Sequence, residues 1–91
     1  MKVNICGIPH EIKYVTDNFQ NDLHLGQIDY GTAIININNE AAPKIQEETL
    51  CHEIMHGILT HIGRQDLSCD ETLVQALGNA VNQTFDIRFE D

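Results

Sequence analysis

Two histidines and a glutamate form the pattern H-E-x-x-H at residues 52–56 of this 91-residue chain. On an α-helix, residues four apart lie about 40° apart round the axis, so His52 and His56 can direct two imidazoles at one point. Glu53 lies beside this pair, about 100° round from His52. In zinc hydrolases with this spacing, the histidines bind the metal and the glutamate accepts a proton from water. The pattern therefore predicts one zinc ion (Zn2+) per chain, with Glu53 as general base.

Zinc held by two protein ligands alone would be unusual, so a third ligand is expected downstream of the pair. The candidates are His61, Cys69, Asp70 and Glu71. His61 lies about 140° from His56 on the same helix, so we interpret it as an exposed surface histidine. Glu71 opens the next amphipathic helix at the margin of its apolar face, from which its carboxylate could meet the imidazoles. We favour Glu71, and Asp70 and Cys69 stay open as alternatives.

A purely structural role for Glu71 competes with the metal-ligand hypothesis. Ser68 and Glu71 fit the S-x-x-E capping box, in which both side chains bond to backbone N–H groups at the start of a helix. A glutamate used in this way would need no metal.

Two β-hairpins are predicted in the N-terminal part of the chain by alternating apolar and polar side chains. The first joins residues 2–5 to residues 11–15, and the second joins residues 25–30 to residues 32–38. Between the hairpins, residues 16–24 are mostly polar, which favours a loop or one short helical turn.

Two amphipathic helices are predicted in the rest of the chain. The first begins near Pro43, and Gly63 ends it. The second covers residues 68–85. Because His52 and His56 border the apolar stripe of the first helix, a metal site there would be half-buried. The predicted fold class is α+β, a small antiparallel or mixed β-sheet of two hairpins packed by two α-helices, the first carrying H-E-x-x-H.

Composition predicts a single domain covering residues 1–91, because the chain is too short for two hydrophobic cores. Three cysteines without a paired framework, no signal peptide and no apolar run of about 18 residues favour a cytoplasmic protein. The 14 acidic and 5 basic residues give a net charge of −9. This charge would repel phosphate backbones and anionic lipids, so neither nucleic acid nor a membrane is an expected partner.

The sequences GQIDYGTAIIN, ETLCHEIMHGIL and DETLVQALGNAVNQ follow one another in the order hairpin, helix and helix. This order resembles the small phage and prophage metallopeptidase-like proteins of the minigluzincin type, over roughly residues 20–85. The resemblance implies a gluzincin-like zinc site in which His52, His56 and Glu71 are ligands and Glu53 is the general base. It also implies a bacterial or phage-infected host cell.

Two positions depart from the pattern of the larger gluzincins. Four residues after Glu71, where those proteins often carry an aspartate that orients a zinc histidine, this chain has Gln75. The side chain that would stabilise the oxyanion is not fixed by the pattern. The available residues are Tyr14, Tyr30, His10 and His24.

Two functions compete for these residues. The first is hydrolysis of a peptide bond, with a peptide or protein substrate extended along the edge of the second hairpin near residues 32–38. The second is a catalytically weak or inactive zinc-binding module with a regulatory or interaction role, because a chain this small has little room for a substrate pocket. We favour hydrolysis, since a structural zinc site would not need Glu53.

The C-terminal tail, residues 84–90, alternates apolar and charged side chains. It could lie in the cleft as a strand and keep an enzyme latent, or it could form a terminal strand of the sheet. The terminal strand is the preferred interpretation.

Overall fold

A computed structural model describes residues 1–16 and 25–91 of the chain. The elements in chain order are β1 (Lys2–Ile5), β2 (Ile8–Val15), β3 (Gly26–Asp29), β4 (Ile34–Asn38), α1 (Pro43–His61), α2 (Gln65–Ser68) and α3 (Glu71–Thr84). The predicted α+β class is confirmed, and a short helix, α2, is added to the two predicted ones. Apart from Thr16, the predicted loop or helical turn at residues 16–24 lies outside the described residues.

The four strands form one mixed sheet in the order β1-β2-β4-β3. Both predicted hairpins are confirmed, because β1 pairs antiparallel with β2 and β3 pairs antiparallel with β4. Parallel pairing of β2 with β4 joins the two hairpins, from Glu11 opposite Ile34 to Val15 opposite Asn38. β4 is therefore an interior strand, and the prediction of a free edge at residues 32–38 is wrong. Within the described residues, β3 forms the edge of the second hairpin.

The turn between β3 and β4 is held by a side chain. The Asp29 Oδ1 atom accepts hydrogen bonds from the backbone N–H groups of Gly31, at 2.9 Å, and Thr32, at 3.1 Å. Such bonds replace backbone pairing where the chain reverses direction. They fix the part of the turn that carries Tyr30.

α1 lies directly on the sheet and buries Leu50 and Ile54 against it. The sheet contributes a set of branched apolar side chains to this core, Val3, Ile5, Ile12, Ile35 and Ile37. Gly57 allows a close approach, because a Cβ atom there would lie 3.2 Å from the Cδ1 atoms of both Ile5 and Ile28. α1 is thereby held firmly against the strands.

The limits of the helices follow from local capping. Pro43 occupies the first turn of α1, and Gly63, with φ of 83°, follows its last turn, as predicted. The second predicted helix, residues 68–85, is α3, which begins at Glu71, and α2 lies mostly in the connection that precedes it. α3 begins there because Asp70 caps it, its Oδ1 accepting a hydrogen bond from the backbone N–H of Leu73 at 3.1 Å. No helix in the described ranges is long and apolar enough to cross a membrane.

α3 packs on the side of α1 that faces away from the sheet. A second core lies between the two helices and is centred on the buried side chains of Met55, Leu59 and Val74. Leu67 of α2 and Leu77 of α3 pack against its margin. α1 is therefore the middle layer, and both H-E-x-x-H histidines lie on a helix that contacts the sheet and α3 together.

The C-terminal tail returns to the first strand of the sheet. Glu90 forms an isolated antiparallel bridge with Lys2, and the backbone N–H of Glu90 donates to the Lys2 carbonyl at 2.8 Å. Ile87 packs against the core between the sheet and α1. The tail therefore adds to the sheet–α1 core.

Removing the Ile87 side chain tests this role of the tail. Ile87→Ala should lower the free energy of unfolding by about 1–2 kcal/mol, because a partly buried apolar side chain is lost from the core. Phe85→Ala serves as the control, since Phe85 is 64% exposed, and should change stability by less than about 0.5 kcal/mol. Urea denaturation measures both values, and equal effects would contradict packing of the tail.

Candidate metal centre

α1 places the side chains of His52 and His56 one turn apart on the face that meets α3. Their Nε2 atoms are 3.1 Å apart, and the ring centroids are separated by 4.8 Å. Both side chains are largely buried, with 16% and 15% of their surface exposed. The half-buried position that the hydrophobic stripe predicted is confirmed.

Glu71, the first residue of α3, meets both imidazoles. Its Oε1 atom lies 2.7 Å from Nε2 of His56, and its Oε2 atom lies 3.7 Å from Nε2 of His52. One ligand atom from each of the three residues lies within 4.8 Å of the others. Two imidazole nitrogens and a carboxylate oxygen therefore form a cluster that could hold a metal ion.

The close contact between α1 and α3 brings Glu71 to this position. A Cβ atom on Gly78 would lie 3.1 Å from both the backbone nitrogen and the Cα atom of His52. Such a distance is tighter than most Cβ contacts, so a side chain here would push the helices apart by a few tenths of an ångström, whereas glycine permits this approach. The approach places the N-terminus of α3 beside the histidine pair.

The structure shows which of the candidate third ligands lies beside the two histidines. Asp70 caps α3 through the backbone of Leu73, and the Cys69 thiol is exposed outside the three-residue cluster. His61 is exposed, as predicted, and its ring contacts those of His10 and Tyr30. Glu71 is the candidate whose carboxylate meets the two histidines.

The competing interpretation of Ser68 and Glu71 as a capping box is wrong. Asp70 is the N-terminal cap of α3, whereas Ser68 ends α2 and its hydroxyl lies 3.3 Å from Nδ1 of His56 and 3.0 Å from Oγ1 of Thr60. Ser68 is buried, and it supports a histidine instead of a helix end. The S-x-x-E pattern suggests that this serine caps a helix. Sequence alone does not distinguish a serine that caps a helix from a serine whose hydroxyl is buried beside a histidine.

Gln75 supports the other histidine. Nδ1 of His52 donates to the Oε1 atom of Gln75 at 2.7 Å, and the Gln75 amide nitrogen donates to Oδ1 of Asn79 at 3.1 Å. Because an amide oxygen can only accept, Nδ1 of His52 is the donor in this bond, and Nε2 is the ring nitrogen that remains for a metal. Nε2 faces Glu71 and His56, which is the orientation a metal-binding histidine requires.

Glu53 is a buried carboxyl beside the triad, with 7% of its surface exposed. Burial, and secondarily the negative charge of Glu71, raise the pKa of Glu53 from 4.5 to about 7. Because Glu53 also lines the cleft described below, it can exchange a proton with a molecule bound there. A carboxyl with a near-neutral pKa in a cleft is a candidate general base.

A cleft of about 490 Å³ opens over the triad, between α1, α3 and the edge strand β3. Its lining consists of Leu25, Gly26, Gln27, Ile28, Tyr30, Ile45, Glu48, Thr49, His52, Glu53, His56, Glu71 and Gln75. Thr49 and Glu48 were not predicted as site residues. Their spacing of three and four residues before His52 could have indicated that they share its helix face.

The candidate oxyanion donors within the described residues differ in whether they line the cleft. Tyr30 lines the cleft, whereas Tyr14 lines a second cavity on the other side of α1. His10 is fully buried, and its Nδ1 atom bonds to the Ile8 carbonyl at 2.8 Å. His24 lies outside the described residues.

The proposal that the tail occupies the cleft is wrong for this structure. Phe85, Ile87 and Phe89 line the second cavity, together with Met1 and Tyr14. The bridge at Lys2 holds the end of the tail at the opposite edge of the sheet from β3. Among the described residues, the tail therefore lies away from the cleft over the triad.

No protein-family model, curated protein or solved structure matches this chain.

The raised pKa of Glu53 predicts a pH-dependent stability for protein freed of metal by a chelator. Between about pH 4.5 and pH 7 the folded state binds more protons than the unfolded state, so the free energy of unfolding should fall as pH rises. The loss between pH 5 and pH 8 should be about 2–3 kcal/mol for a rise in pKa of this size.

Glu53→Gln should remove this loss and be the more stable protein at pH 8. Urea denaturation at pH 5 and pH 8, in the presence of chelator, measures the difference. Glu47→Gln is the control, because Glu47 is an exposed residue of the same helix that pairs with Lys44. Parallel pH profiles for the wild type and Glu53→Gln would contradict a raised pKa.

Proposed function

We propose that this protein is a zinc-dependent peptidase of the minigluzincin type that hydrolyses a peptide bond. The observation that carries the proposal is the convergence of His52, His56 and Glu71 beside the buried carboxyl of Glu53. A metal site used only for structure would have no need of a buried carboxyl at its side.

The donor set fits zinc. Two imidazole nitrogens and one carboxylate oxygen, without a thiolate, are typical of catalytic zinc sites, which keep a fourth position open for a reactant. The hydrogen bond from His52 to Gln75 directs the lone pair of Nε2 into the cluster. A zinc ion held by these residues would supply Lewis-acid polarisation of a peptide carbonyl and of a water molecule.

Glu53 is the proposed general base. In its ionised form it accepts a proton from the attacking water, and in its protonated form it gives that proton to the departing amine. A pKa near neutrality suits a group that must both accept and donate. A cation at the triad would favour the ionised form, which begins the reaction.

The proposed substrate is an extended peptide that adds a strand to β3. β3 has an unpaired edge within the described residues, and Gly26, Gln27 and Ile28 line the cleft. Backbone hydrogen bonds to such an edge position a peptide without regard to most of its side chains. The Tyr30 hydroxyl, at the end of the same strand, is the proposed oxyanion donor.

A second candidate function is a zinc-binding interaction module without turnover. The observation that favours it is the neutral character of Gln75 and Ser68, the partners of the two histidine Nδ1 atoms. A carboxylate in such a position increases the basicity of the metal-binding histidine, and a neutral partner increases it less.

Metal analysis tests the part that both functions share. The wild-type protein should contain one zinc per chain by elemental analysis after dialysis, and His52→Ala and Glu71→Ala should each lose it. Gln75→Ala should bind zinc about 10–100-fold more weakly in a competition assay, because His52 would lose its orienting hydrogen bond. Glu47→Ala, which removes an exposed carboxylate elsewhere on α1, should retain the metal. Absence of zinc from the reconstituted wild type would contradict both functions.

Peptide cleavage separates the two functions. The zinc-loaded wild type should cleave members of a peptide library, detected by mass spectrometry, and Glu53→Gln should lower the rate by at least about 100-fold while retaining zinc. Unchanged cleavage by Glu53→Gln would remove Glu53 from the mechanism. A zinc-loaded wild type that captures peptides without cleaving any would establish the interaction module instead.

A further inference from the structure

We propose that the cleft selects peptides that carry a cationic group near the scissile bond, and that Glu48 is the residue that recognises this group. The inference rests on the proposed use of the cleft for peptides. It adds the chemical class of the substrate.

The charged side chains that line the cleft, apart from the two histidines, are all acidic. They are Glu48, Glu53 and Glu71. All five lysine and arginine residues of the chain lie in its described part, and none of them lines the cleft. An anionic peptide would therefore find no positive side chain of the protein there, whereas a cationic one would be attracted.

A divalent cation at the triad does not remove this preference. Its two positive charges would offset those of Glu53 and Glu71, which lie beside it. Glu48 lies one helical turn before His52, about 6 Å along the axis of α1. Its charge therefore remains after the metal has bound.

Glu48 has no cationic partner within 4 Å among the described residues, although its side chain is half-buried. The nearest basic residue along the helix is Lys44, whose Nζ atom lies 3.6 Å from the carboxylate of Glu47, outside the cleft. A half-buried carboxylate without a partner gains from a cation that arrives with a ligand. Glu48 is thus prepared for an external positive charge.

The position of Glu48 sets where that charge must lie on the peptide. A strand advances about 3.3 Å per residue, so for an extended peptide that runs along the axis of α1 the offset of about 6 Å between Glu48 and His52 corresponds to about two residues. The ammonium or guanidinium group should therefore belong to a residue within about two positions of the scissile bond. A lysine or arginine side chain or a free amino terminus could supply it.

Binding to the zinc-loaded Glu53→Gln variant tests the inference separately from cleavage. The probes are blocked, fluorescent peptides that differ at one position two residues from the centre, carrying lysine, arginine, glutamine or glutamate. A further peptide has a free amino terminus and no lysine or arginine. Anisotropy titrations should give roughly fivefold tighter binding for a cationic peptide than for the glutamine peptide, declining with added salt.

Charge variants identify the residue responsible. Glu48→Gln, made in the Glu53→Gln background, should abolish the preference, and Glu48→Lys should reverse it toward the glutamate peptide. Glu47→Gln removes the same charge from the adjacent residue, which faces Lys44 and not the cleft, and should retain the preference. Preference for the lysine and arginine peptides would show that Glu48 recognises a cationic side chain of the peptide. Preference for the unblocked peptide would show that it recognises the free amino terminus.

The outcomes distinguish this inference from the proposed peptidase function. Equal binding of all the peptides, binding of none, or a preference that survives both Glu48 variants would overturn the inference. Cleavage by the wild type in those cases would leave the peptidase proposal intact. A preference that depends on Glu48, without cleavage by the wild type, would support the inference and exclude the peptidase.

Discussion

The close contact of α3 with α1 at Gly78 is the constraint on which the site depends. Glu71, Gln75 and Gly78 have the spacing i, i+4 and i+7, so they form one stripe along α3. The glycine permits contact with the backbone of His52, the glutamine bonds to the ring of His52, and the glutamate meets both imidazoles. One face of one helix thus sets the distance between the helices and supplies a ligand atom.

The same contact explains how so small a protein can keep a buried carboxyl. Glu53 lies on α1, the layer covered by the sheet on one side and by α3 on the other. Ionising a carboxyl there opposes stability, as its raised pKa indicates. The two apolar cores on either side of α1 stabilise the helix enough to hold this group in place. Such an unfavourable group at the centre of a fold is typical of sites retained for function.

Much of the fold was predictable because its signals are local. Alternation identifies the hairpins, Pro43 and Gly63 bound α1, and H-E-x-x-H places two imidazoles on one helix face. The parallel pairing of β2 with β4 was not predictable, since no local pattern specifies which strands of two hairpins become neighbours. Among the described residues, that pairing makes β3 and not β4 the edge strand of the second hairpin, so the proposed path of the substrate lies along β3.

The site was predictable to the extent that its residues have fixed helical spacing. The sequence identified Glu71 as a candidate third ligand but did not exclude the alternative, a capping box formed with Ser68. In the structure, the Ser68 hydroxyl instead lies beside His56. Asp70, which lies between Ser68 and Glu71, caps α3 through a local bond to Leu73, so α3 begins at Glu71 without a serine cap. The contacts of Ser68 and Glu71 with the histidines are tertiary, and the sequence pattern does not contain them.

The neutral partner of His52 is consistent with the charge of the cleft. An aspartate in place of Gln75 would make His52 more basic, but it would also add a negative charge to a cleft that already contains Glu48, Glu53 and Glu71. The charge of Glu71 already raises the pKa of Glu53, and another carboxylate nearby would raise it further. A base held protonated could not accept a proton from water. Gln75 orients His52 through a hydrogen bond of 2.7 Å without this effect, so a neutral partner for His52 is compatible with the proposed role of Glu53 as general base.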